Sequence, residues 1–75
     1  MFIEGYMVDS FKRDNGDTLL TVSCVNPGDR ANNAVWEKQA FIHEENTKLC
    51  DYLHTIVNYI ARLDIPKGGY AKIKI

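Results

Sequence analysis

The chain has 75 residues, 45% of them hydrophobic and 25% charged, with a formal net charge of −1 at pH 7. That length sets a single domain spanning 1–75, which buries only about 60% of its unfolded surface, and the composition is too apolar for a disordered segment. The near-neutral charge argues against an indiscriminate nucleic-acid binder, which is ordinarily basic, and no apolar run approaches the roughly 20 residues that span a membrane.

Residues 2–12, rich in Phe2, Ile3, Tyr6, Val8 and Phe11, read as a first strand with both faces partly apolar. Asp14-Asn15-Gly16-Asp17 then gives a hairpin signal, with Asn15-Gly16 suited to the positive φ of a type I′ turn. Residues 18–25 form a second strand, with Leu20, Val22 and Cys24 on one face and Thr21 and Ser23 on the other. A polar connection over 26–33 turns at Pro27-Gly28 and carries Arg30 near its tip. Residues 34–42 make a third strand. One face reads Ala34, Trp36, Lys38, Ala40, Ile42 and the other Val35, Glu37, Gln39, Phe41, and the pattern leaves open which points inward.

The spacing of Leu49, Leu53, Ile56, Val57 and Ile60 predicts an amphipathic helix from about residue 45 to Leu63, with Lys48, Asp51, Thr55, Asn58 and Arg62 on its polar side. Glu44 and Glu45 suit the positive end of its dipole, and Asn46 or Thr47 would cap it. Pro66 stops helical geometry, and Lys67-Gly68-Gly69 turns the chain into a last strand. There Ala71, Ile73 and Ile75 are expected inside, with Tyr70, Lys72 and Lys74 on the other face. The expected fold is α+β: a small antiparallel sheet in the order β-β-β-α-β with one long helix packed on it.

Catalytic chemistry finds little footing, so the chain is read as a non-enzyme. His43 and His54 form no metal- or base-type pair, Glu44 and Glu45 do not share a helical face, and no GxSxG, Walker or GxGxxG pattern occurs. No cofactor and no metal site is expected. Cys24 and Cys50 lack metal-type spacing and read as reduced, buried thiols of a cytosolic protein, a single disulfide between them being the alternative. The N-terminal Met1-Phe2-Ile3-Glu4 carries no signal-peptide pattern.

Binding is better supported. One ring and two lysines on a strand face, Tyr70, Lys72 and Lys74, are what a sheet needs to stack bases and neutralise phosphates. Trp36 and Lys38 join that platform if the third strand has the matching phase, with Tyr6, Lys12 and Arg30 as rim contacts. The element order, with the stretches 16–24, 35–42 and 67–75 and the Lys67-Gly68 entry to the last strand, resembles the oligonucleotide-binding fold of single-stranded DNA-binding proteins. That resemblance implies single-stranded nucleic acid as ligand. The helix is longer than that family usually shows and no fifth strand closes a barrel, so either the sheet stays open or a second copy completes a truncated barrel, and a homodimer is expected. The rival reading is a protein-interaction module, such as a phage-encoded inhibitor or regulatory protein, docking through the same aromatic residues or through a strand edge.

Overall fold

Alternation of small and branched apolar residues with polar ones makes residues 17–25 the clearest half-buried strand of the chain, and the architecture is organised around it. The structure is a computed structural model that describes residues 1–31, 33–44 and 49–75. Its elements are β1 (Phe2–Ile3), β2 (Tyr6–Lys12), β3 (Asp17–Val25), β4 (Ala34–His43), α1 (Leu49–Arg62) and β5 (Ala71–Lys74). They form one open five-stranded sheet in the order β1-β2-β3-β4-β5, with α1 packed on one face. The proposed helix start at 45, the caps Asn46 and Thr47, and Glu45 and Lys48 lie outside the described residues. The described helix opens with the Leu49 N–H donating to the Glu44 carboxylate, which satisfies a donor that has no partner within the helix.

Three expectations are corrected. The first strand is two, because Glu4 and Gly5, with φ of 53° and 84°, reverse the chain between Ile3 and Tyr6. Two successive left-handed residues are the signature of a type I′ hairpin, which is usually written Asn-Gly. Glutamate adopts that conformation at a cost, so Glu4→Asn is expected to stabilise the fold by about 0.5–1 kcal/mol. A thermal melt checks this, since a rise of about 4 °C corresponds to that range in a domain this size and an unchanged midpoint contradicts it.

The second correction concerns the turn at 14–16. Only Gly16 is left-handed (φ 91°), and the Arg13 N–H bonds the Asp17 carbonyl at 2.7 Å, which is a three-residue loop and not a type I′ turn. The Asn15 side chain is the reason, because its Oδ1 accepts the Asp17 N–H at 3.0 Å and fixes the loop locally.

Third, the sheet is mixed. β1 to β4 are antiparallel neighbours, whereas β5 runs parallel to β4, from Ala40 opposite Ala71 to His43 opposite Lys74. The helix acts as the crossover that a parallel pair requires.

The core lies between sheet and helix. Val8, Leu20, Val22, Ala40 and Ile42 from the strands meet Ile56, Val57 and Ile60 from α1, with Leu49, Leu53, Ala71, Ile73 and Ile75 packed at its margin. Ala40 and Ile42 settle the phase of β4: the even-numbered residues face the helix and the odd-numbered ones face away. Both cysteines are free, and Cys50 is exposed on α1, not buried as expected. No described helix is long and apolar enough to cross a membrane.

Candidate nucleic-acid interface

The period of two puts every second strand residue on the face that the helix leaves uncovered. Cross-strand register brings Phe11, Leu19, Phe41 and Lys72 into one row across β2, β3, β4 and β5. The neighbouring row is Asp17, His43 and Lys74. Tyr70, just before β5, sets its ring against Phe41 edge-on, with centroids 4.9 Å apart and planes at 89°. Arg13 leans from the end of β2 across β3, placing its guanidinium 5.2 Å from the Phe41 ring centroid. Arg13, Phe41, Tyr70, Lys72 and the row of Asp17, His43 and Lys74, with Asn15 and Ile73, line a cleft of about 430 Å³.

The cleft has a fixed polar end. His43 Nδ1 and Asp17 Oδ1 are 2.9 Å apart, and Asn15 Nδ2 lies 3.4 Å from the second Asp17 oxygen. Among the described residues, Asp17 is the sole carboxylate lining the cleft, against Arg13, Lys72 and Lys74. The surface is locally cationic in a chain of net charge −1. Tyr70 is 54% exposed, so its ring is open to a planar ligand, while Phe41 is half-buried and buttresses it. Among the described residues, no group of His, Cys, Asp and Glu is placed to hold a metal ion.

The structure divides the predicted site residues between two faces. Tyr70, Lys72 and Lys74 stand together as expected from the alternation of the last strand. Trp36, Lys38 and Tyr6 do not join them, because they lie on the helix side of the sheet. Trp36 packs against the core with its ring 5.5 Å from that of Tyr6. Lys38 runs along the same side, sits 4.8 Å over the Trp36 ring, and donates to the carbonyls of Ala61 and Leu63 at 2.7 Å each. These are carbonyls at the end of α1 that need donors from outside the helix, so the long apolar stem of Lys38 crosses core surface to bring its charge to a helix C-terminus.

Arg30 is exposed in the connection between β3 and β4, at the opposite end of β3 from Asp17 and so about 25 Å from the cleft. Lys12 is exposed at the end of β2 beside the 13–17 loop, and lines a neighbouring depression with Phe11 and Arg13. Comparison of the chain with protein-family models, with curated proteins and with solved structures gives no match in any of the three.

Sequence reasoning missed Arg13 and Phe41 as cleft residues. Phe41 belongs to the second of the two faces that the pattern of β4 offers, and the burial of Ala40 and Ile42 is what turns that face away from the helix. Arg13 carries no sequence signal, since its reach across β3 depends on the three-residue loop.

Proposed function

We propose that the protein is a small non-enzymatic module that binds single-stranded nucleic acid on the helix-free face of its sheet. The observation that carries this reading is the Tyr70–Phe41 ring pair set among Arg13, Lys72 and Lys74 in one open cleft. An exposed ring takes the π-face of any base, and the surrounding cations meet the phosphates. Two free cysteines fit work in a reducing compartment such as the cytosol.

Titration with a labelled six-nucleotide thymidine or uridine oligomer tests the reading. Three phosphate contacts give a slope of log K against log salt of about −2, and Tyr70→Ala is expected to weaken binding about tenfold, within the range for one stacked base. The absence of saturable binding at low salt and millimolar protein would overturn it.

A protein partner is the second reading, favoured by a different observation. β5 pairs with β4 only over Ala40–His43, so residues 34–39 have no strand on that edge among the described residues. The edge borders a groove of about 560 Å³ lined by Val35, Glu37, Ile65 and Lys67 among others. An unpaired strand edge beside a groove is the geometry of strand addition by a partner chain or by a second copy in a homodimer. Shifts confined to the 34–39 amides on adding a partner, with the Tyr70 cleft silent, would place this reading first.

A further inference from the structure

The helix-free face holds a feature that the Tyr70 cleft does not use. Phe11, on β2, is 67% exposed, more than any other described phenylalanine, tyrosine or tryptophan, and it stands in the same cross-strand row as Phe41, at a point where β1 no longer pairs with β2. It borders a depression of about 480 Å³ shared with Lys12, Arg13, Asp14 and Asn15. Arg13 and Asn15 also line the Tyr70 cleft. The two depressions therefore adjoin through the Arg13 side chain, which has an aromatic ring on either side of it.

We infer that Phe11 forms a second base-binding subsite, joined to the Tyr70 subsite through Arg13, so that one single strand of nucleic acid crosses the sheet from β5 to β2. The inference rests on the proposed function and adds to it a footprint, a second stacking ring and a central phosphate contact. Three strand spacings of about 4.8 Å separate β2 from β5, about 14 Å in all. A stacked strand rising about 3.4 Å per residue needs about four steps to cover that distance. A dinucleotide is too short to occupy both subsites, and a hexanucleotide is long enough. The charges agree with this path. Lys12 and Arg13 outnumber Asp14 at the Phe11 depression, and Arg13 lies where the backbone between two stacked bases would pass.

The test compares two-nucleotide and six-nucleotide oligomers of thymidine and of uridine, with amide chemical-shift mapping and affinity measured for the intact chain, Phe11→Ala and Tyr70→Ala. The dinucleotide is expected to shift amides around Tyr70 and Lys72, and the hexamer those and the amides of 10–13 as well. Phe11→Ala is expected to weaken the hexamer about tenfold, as for loss of one stacked base, and to leave the dinucleotide unchanged. Tyr70→Ala weakens both. Phe11 is exposed, so the variant keeps its core, and a circular dichroism melt verifies that. Hexamer binding that Phe11→Ala leaves unchanged, or a hexamer that shifts only the Tyr70 amides, overturns the second subsite while leaving the proposed function standing. Failure of every oligomer to bind overturns both.

Discussion

Lys38→Met is expected to lower the unfolding free energy by about 2–3 kcal/mol, because the substitution keeps the apolar stem and removes only the charged donor. The carbonyls of Ala61 and Leu63 then lose the ammonium that both bond at 2.7 Å. A bond from a charged donor contributes about 1.5–3 kcal/mol, and a partly buried acceptor left without a partner costs about 1–3 kcal/mol. A domain of this size has only about 4–11 kcal/mol in total, so the loss is a large share of it. Urea unfolding followed by circular dichroism measures the change. Trp36 fluorescence reports it locally, since the ammonium sits over that ring. Lys38→Arg keeps a donor and is expected to recover part of the loss. A Lys38→Met variant within 0.5 kcal/mol, on the scale of ordinary surface substitutions of about that size, would mean that water serves the two carbonyls equally well. Because Lys38 faces the helix, the variant is also expected to bind oligonucleotide as the parent does under native conditions.

Arg13→Glu combined with Lys72→Glu is expected to cut affinity for a six-nucleotide oligomer on the order of 100-fold or more at low salt. Two unit charges about 4 Å apart in water interact by about 1 kcal/mol, so reversing one sign changes the interaction by about 2 kcal/mol. Two such reversals on one cleft supply the factor. The salt slope should flatten as well, since the remaining cations release fewer counterions. Lys74 is left in place in this variant because it already has an interaction partner in the protein. Lys67→Glu combined with Arg30→Glu serves as the control: the pair carries the same charge change, but neither residue lines the Tyr70 cleft. Fluorescence anisotropy at two salt concentrations reads both variants. Equal losses in the control and the cleft variant would point to net charge alone and remove the assignment of the cleft.

The division between these two experiments marks where the sequence could be read and where it could not. The alternation in 18–25 and 71–75, the helical spacing from Leu49 to Ile60 and the turns at Gly16 and Pro27 each rest on local periodicity or backbone chemistry, and each appears at its place. The phase of β4 does not follow from local pattern. Both of its faces mix rings, charges and apolar residues, and a lysine on the core side looks polar until a helix end is seen above it. The matching phase on which Trp36 and Lys38 depended is therefore not the one adopted, and Tyr6, expected at the rim, also lies on the helix side of the sheet. The break at Glu4-Gly5 was hidden for a related reason: glutamate is an unusual occupant of a left-handed position, so Gly5 stood without the Asn or Asp before it that marks such a hairpin. The parallel pairing of β5 is a matter of where the helix returns the chain, which no window of residues encodes.

Strand β5 supplies Lys72 and Lys74, with Tyr70 just before it, and it is the sheet's short outer strand, four residues long and paired on one side only. The antiparallel strands close small loops, whereas β5 reaches β4 only after the chain has traversed the helix, so its pairing carries the larger closure entropy. Detachment of that strand is a local opening that costs less than global unfolding, and it disassembles half of the cleft. A ligand that needs Tyr70 and Lys72 in place therefore binds only the zipped form and shifts the opening equilibrium by mass action. Amide hydrogens of residues 71–75 should exchange faster than those of β3 in the free protein. They should slow more than those of β3 when oligonucleotide is added, making the exchange rate of one edge strand a direct gauge of occupancy.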